Sequence, residues 1–288
     1  MSQLELWFGD QYEKEKGRYL QIKGDNILKK VISPFQQISV VETPAFGKVL
    51  MNDGIIMLTE ADEAGYHEMI THVPLCVHPK PLDILVIGGG DGGTVREIIK
   101  HSSVNRVDVC EIDKMVIEIC REYFPDLANS FNHKKVHTFF EDGAKFLKNK
   151  VNQYDIIIVD SSDPIGPGTT LFTEQFYRFL FRALKEDGIA VTQLESLFWH
   201  ADFIQSTFQF IKKIFPVPYY YYTMVPTYPS GMIGFSFCSK KYHPLNHFIS
   251  ERANQLPDLK YYHTDIHRAA FMLPAFSRAI FKSIKQGN

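Results

Sequence analysis

The heptapeptide Ile87-Gly88-Gly89-Gly90-Asp91-Gly92-Gly93 succeeds the apolar run 82–86 and constrains the chain more than any other segment. Gly88, Gly90 and Gly93 satisfy a G-x-G-x-x-G spacing, so a strand turns sharply into a helix and leaves room for a ligand against its backbone. Asp91 gives the turn an unusual chemistry. The pyrophosphate of a dinucleotide would be cradled by the amides of such a turn but repelled by this carboxylate, whereas a cationic ligand would be held by it. A bland strand-to-helix turn also accounts for glycine spacing of this kind, so the residues beyond the turn decide between the two.

After residue 82 the sequence alternates strands and helices. Strands are expected at 84–87, 107–110, 136–139, 156–159 and 189–193, helices at 94–100, 114–124, 144–148, 173–184 and 201–214, and two late strands at 219–224 and 233–238. Runs such as Ile156-Ile157-Ile158-Val159 are apolar without alternation, which marks strands buried on both faces of a helix-covered parallel sheet. The reading is α/β: a Rossmann-like doubly wound sheet over 61–288. Ahead of it, short β-rich runs at 27–32, 37–41, 48–51 and 55–58 are punctuated by Pro44, Gly47 and Asn52-Asp53-Gly54, predicting a small antiparallel β domain within 1–60. A helix is expected over 62–75, and packing helices over 263–281.

Composition narrows the class. With 31 basic and 33 acidic residues and no sustained basic run, nucleic acid and anionic membrane surfaces are not expected partners. The chain has no apolar stretch of membrane-span length and opens without a secretory pattern, so a cytoplasmic location is expected. Its cysteines, Cys76, Cys110, Cys120 and Cys238, stand singly, as expected of free thiols in a reducing compartment rather than zinc ligands.

Four acids fall at four strand ends on one edge of the expected sheet: Asp91, Glu111, Asp142 and Asp160. Glu111 lies about twenty residues past the glycine turn, where an acid accepts from ribose hydroxyls. Asp142, opening a helix with Gly143, suits an adenine amino group or a helix cap. The segment Asp160-Ser161-Ser162-Asp163-Pro164-Ile165-Gly166-Pro167 places two carboxylates three residues apart on a stiff loop. Their burial would be costly without a cation, and an amine would supply one.

Together IGGGDGG, Glu111-Ile112-Asp113, Asp142-Gly143, DSSDPIGP, Leu171-Phe172-Thr173 and Pro226-Thr227-Tyr228-Pro229-Ser230-Gly231 resemble the spermidine synthase family of aminopropyltransferases, on a methyltransferase-type Rossmann-like fold. The resemblance covers nearly the whole chain. Trp7-Phe8, Gln36, Ala45-Phe46-Gly47, Asp53-Gly54 and Tyr66-His67-Glu68-Met69 also fall where the family's pattern has them. It implies decarboxylated S-adenosylmethionine as donor and a diamine, usually putrescine, as acceptor, with no separate cofactor, no metal and a homodimeric assembly. Carried over, Gln36, Gly88, Gly90, Glu111, Asp142, Gly143 and Pro167 contact the donor, and Asp91 its aminopropyl ammonium. His67, Asp160 and Asp163 hold the acceptor, with Tyr66, Tyr228 and Trp7 along its chain, and Asp160 accepts the proton. Glu195, at the end of the fifth strand, is a candidate for the acceptor's distal amine. Three other readings stay open here: a methyltransferase using intact S-adenosylmethionine, a nicotinamide dehydrogenase, and a silent polyamine-binding module.

Overall fold

A computed structural model describes residues 5–281. Its first unit pairs β1 (Leu6–Gly9) with β2 (Gln21–Gly24) in a hairpin. Beside it runs an antiparallel sheet of β3 (Asn26–Ile32), β4 (Gln37–Thr43), β5 (Gly47–Asn52) and β6 (Ile55–Thr59) in sequence order. Asp53 and Gly54 join β5 to β6 with φ of 50° and 78°, the left-handed pair that a two-residue hairpin requires. Asp53 then accepts the Gln37 amide at 2.8 Å, tying the turn to β4. The hairpin β1–β2 is not signalled by the sequence, because its strands have four residues each and are separated by an irregular segment.

Helix α1 (Glu63–Leu75) is buried along its full length, so it lacks the polar stripe of a surface helix. Its charged side chains are accordingly all engaged. Glu68, for example, accepts the amides of Lys260, Tyr261 and Tyr262 at 2.7–2.9 Å and pins the C-terminal segment to the core.

The remaining elements are β7 (Asp83–Gly88), α2 (Gly93–Ile99), β8 (Arg106–Cys110), α3 (Lys114–Tyr123), α4 (Pro125–Ala128), β9 (Val136–Phe139), α5 (Gly143–Leu147) and β10 (Tyr154–Asp160). They continue with α6 (Glu174–Ala183), β11 (Leu184–Gln193), α7 (Ala201–Ile214), β12 (Val217–Met224) and β13 (Met232–Ser239), and end in the short helices α8 (Ser250–Asn254), α9 (Thr264–Ala269) and α10 (Arg278–Phe281). The sheet order is β12-β13-β11-β10-β7-β8-β9, with β7 to β11 parallel and β12 and β13 antiparallel. β11 starts five residues earlier than expected, because its first residue, Leu184, pairs with Tyr154 before a register shift. Buried side chains alternate between two cores: Ile84, Val86, Ile156 and Ile158 pack under α1 to α3, whereas Leu85, Ile87, Ile157 and Val159 pack under α6 and α7. That two-sided burial is why these strands read as unbroken apolar runs.

Strand order reverses between β7 and β10, whose ends meet at the Gly88–Asp160 pairing. Loops diverge at such a point and leave a crevice. Gly88 has φ 81°, and a Cβ there would collide with the Asp160 carbonyl. No helix among the described residues is long and apolar enough to cross a membrane, and all four cysteines are free and buried.

Candidate active site

The crevice holds two adjoining cavities. The first is lined by the glycine turn, Gln36, Glu111, Asp142, Gly143, Asp91 and Asp160, among others. The second lies under the N-terminal hairpin and is lined by Tyr12, Asp163, Gln193, Glu195, Trp199 and His200, among others. Met57, Tyr66, Ser161, Ser162 and Tyr228 belong to both walls. Tyr228 is fixed by donating to the Met57 carbonyl at 2.7 Å, and its ring lies 6.1 Å from that of Tyr66, edge to face.

In the first cavity, Glu111 accepts the Asp113 amide at 2.8 Å, and Asp113 caps α3 through the Met115 amide. The cap of α3 is therefore Asp113 and not Glu111. Burial pushes Glu111 up to about 7. Gln36 and Ser33 both donate to Asp113, at 3.0 and 2.6 Å, and so attach the N-terminal sheet to the cavity wall. Asp142 both lines the cavity and caps α5, accepting the Lys145 amide at 2.9 Å. Pro167 falls in a 3-10 turn over Gly166–Phe172.

His67 sits between two carboxylates, with Nδ1 2.7 Å from Glu63 and Nε2 3.2 Å from Asp91. Its ring packs so closely on Gly93 that any side chain there would collide with it. Burial opposes charge here, but Asp91 and Glu63 outweigh it and hold the imidazolium well above the ordinary histidine range. Asp91 in turn stays low despite burial, because His67 and the Gly93 amide, 2.6 Å away, favour its charge. Both nitrogens of His67 are thus engaged, by Glu63 and by Asp91. Behind it, Arg96 grips Glu63 with two hydrogen bonds of 2.9 and 3.1 Å and reaches Glu97 at 2.6 Å. Glu97 also meets His72 and Lys100, at 2.9 and 2.7 Å.

Asp160 accepts from Thr94 at 2.6 Å and from the Tyr66 phenol. Burial and the nearby Asp91 charge push it up to about 6. Ligand atoms of His67, Asp91 and Asp160 lie within 4.8 Å of one another. In the second cavity, burial, then Glu195 and Asp10, raise Asp163 well above the carboxylate range. Its Oδ1 accepts from the Gln193 amide at 3.1 Å, while the Gln193 Oε1 is buried with no hydrogen-bond partner. Glu195 accepts from Tyr12 at 2.7 Å.

Trp7 is an expected site residue that lies away from both cavities. It is 53% exposed on β1, donates to Glu5, and lines neither cavity. A side chain on a two-stranded hairpin points to one face or the other, and this one points outward. Trp199 lines the second cavity, under the Arg18 guanidinium at 4.5 Å. Thr94, Gln193, Tyr12 and His200 also reach the site without being expected there from the sequence. Gln193, two residues before Glu195 at a strand end, carries a usable signal, whereas Tyr12 reaches Glu195 across 183 residues and carries none.

Comparison with known proteins decides the family. Residues 63–248 match the spermine/spermidine synthase domain and residues 6–60 the spermidine synthase tetramerisation domain. The chain belongs to the spermine/spermidine synthase family. It is 48% identical over 280 residues to a polyamine aminopropyltransferase of Leptospira biflexa, covering 97% of this chain and 99% of that one. A polyamine aminopropyltransferase of Alkaliphilus oremlandii is 45% identical over 282 residues, with the same coverage. A spermidine synthase crystallised with the transition state analogue AdoDATO superposes with a TM-score of 0.94 at 37% identity, covering 99% of this chain and 97% of its own. The spermidine synthase of Thermotoga maritima superposes with 0.92 at 37% identity and the same coverage. As a member of this spermine/spermidine synthase family the chain is an aminopropyltransferase, and its Rossmann-like fold is the family's.

Proposed function

We propose that the chain moves the aminopropyl group of decarboxylated S-adenosylmethionine to putrescine, giving spermidine and methylthioadenosine. The observation that carries this reading is a pair of cavities meeting at Tyr66 and Tyr228, with Asp91 and Asp160 on one side and Asp163 on the other. The first cavity suits the adenosyl donor. Glu111 accepts from the ribose, Asp142 with Gly143 and Gln36 border the adenine, Pro167 is a further contact of the adenosyl part, Gly88 and Gly90 allow close approach, and Asp91 faces the aminopropyl ammonium. The second suits the acceptor, its distal ammonium at Asp163 and the unpaired Gln193 carbonyl oxygen.

The attacking amine nitrogen forms a bond to the methylene carbon beside the sulfonium. The carbon–sulfur bond breaks, and its electron pair stays on sulfur as a neutral thioether. The amine resembles lysine, with a pKa of roughly 10.4, so it arrives protonated and Asp160 takes its proton. Holding the two substrates in line contributes roughly 7–11 kcal/mol to the rate. His67 acts through Asp91 by fixing its charge and position. The same reading extends to assembly: the N-terminal unit mediates a homo-oligomer, with a homodimer as its smallest form. A matrix of donors against acceptors, read by methylthioadenosine release, tests the reaction. Turnover of the decarboxylated donor with putrescine supports it, and methyl transfer from intact S-adenosylmethionine to any acceptor overturns it.

A further inference from the structure

The second cavity contains one basic side chain among its acids: Asp10, Glu13, Asp163 and Glu195 line it, together with His200. His200 stands between two of them. Its Nε2 is 2.8 Å from Glu13, and its Nδ1 is 3.0 Å from Glu195 Oε2 but outside hydrogen-bonding geometry. Glu195 cannot readily turn away. Its backbone sits at φ 57°, a conformation that a non-glycine residue holds only when its surroundings enforce it, and its carbonyl accepts from Tyr220 and Gly234, each at 2.9 Å. Glu13 is anchored further by Lys16 at 2.9 Å and by Arg18.

Asp163 contrasts with Glu195. Its neighbour in the cavity is the neutral Gln193, whose Oε1 is buried and unpartnered. The cavity therefore presents one cation position lacking a cation and one filled from within the protein. A diamine brings one distal ammonium beyond the reacting nitrogen, and a triamine brings two.

We propose that His200 is a built-in counter-cation that occupies, at Glu195, the place a third ammonium would take, and thereby restricts the acceptor to diamines. The inference rests on the reading of this cavity as the acceptor side. A triamine seated at Asp163 would bring its next ammonium against the His200 imidazolium, and such like-charge juxtaposition in a desolvated site is strongly unfavourable. With the imidazole gone, Glu195 is an open carboxylate for that ammonium.

The test is kcat/KM for putrescine and for spermidine as acceptors, with the decarboxylated donor, in wild type, His200→Ala, His200→Gln and His200→Lys. In the two neutral variants the spermidine-to-putrescine ratio rises at least ~10-fold, mainly through a lower KM for spermidine. In His200→Lys, which restores a cation, it stays near the wild-type ratio. Should His200→Ala fail to fold, His200→Gln decides, since it keeps hydrogen-bonding capacity and removes only the charge. A ratio unchanged in the neutral variants overturns the role, because a merely structural histidine would depress both acceptors alike. A ratio raised equally in His200→Lys also overturns it. If the wild type transfers no aminopropyl group to any amine, the proposed function fails instead, so the two failures are distinguishable.

Discussion

The Nε2 of His67 stands 3.2 Å from Oδ1 of Asp91, and this contact changes what the acid in the glycine turn can do. An isolated buried carboxylate would tend to take up a proton; one held by an imidazolium stays charged. The enzyme thus keeps a permanent anion beside Asp160, and that anion in turn raises Asp160 towards the range useful to a base at neutral pH.

Asp160→Asn should lower kcat by at least ~10²-fold, because it removes the proton acceptor and an anion while keeping size. Binding of methylthioadenosine should change little. Steady-state kinetics and calorimetry check both, and near-normal turnover would remove Asp160 from the mechanism.

With Asp160 pushed up to about 6 by burial and Asp91, log kcat/KM for the donor should break downward as pH falls through about 6. Only the charged carboxylate accepts a proton. Stability should run the other way. A carboxyl whose folded pKa exceeds its unfolded value of about 3.9 contributes stability fully below that value and loses it as pH rises through the folded one. The Asn variant should therefore melt higher than wild type at pH 8 without ligand, and the difference should vanish near pH 4. A variant that melts lower at pH 8 would contradict the buried-charge account.

Asp91 should discriminate donors. Intact S-adenosylmethionine brings a carboxylate into the neighbourhood of a fixed anion, so the decarboxylated donor should bind at least ~10²-fold more tightly. Asp91→Asn should narrow the gap, chiefly by weakening the preferred donor. Titration calorimetry with both donors measures it, and equal wild-type affinities would refute the role.

Arg96→Met should destabilise the protein by about 3–5 kcal/mol, because Glu63 and Glu97 would be left as buried carboxylates short of a cation. The Arg96 contacts of 2.6–3.1 Å motivate this. Denaturant unfolding gives the number, and a loss below about 1 kcal/mol would show that His67, His72 and Lys100 suffice.

Most of the fold is legible in the chain, since β7 and β10 carry apolar runs with two buried faces and Asp53-Gly54 demands a left-handed turn. The first cavity is legible for a related reason: Asp91, Glu111, Asp142 and Asp160 sit at strand ends, and a parallel sheet gathers strand ends at one edge. The second cavity is less so. Tyr12 and His200 come from segments with no shared period and meet Glu195 through tertiary contacts alone, and the sequence does not tell which face of its short hairpin Trp7 takes. Nor does any local pattern tell that both nitrogens of His67 are engaged, since Glu63 is one helical turn away but Asp91 lies on a different element.

The wall shared by the two cavities carries a thermodynamic consequence. Tyr66, Tyr228, Ser161 and Ser162 touch whatever fills either side, so a ligand that seats this wall for its own use sets the surface the second ligand meets. Linkage then works in both directions: if donor occupancy tightens acceptor binding by some factor, acceptor occupancy must tighten donor binding by that same factor. Ordered addition of substrates in such an enzyme would reflect rates of access, not a difference in mutual affinity.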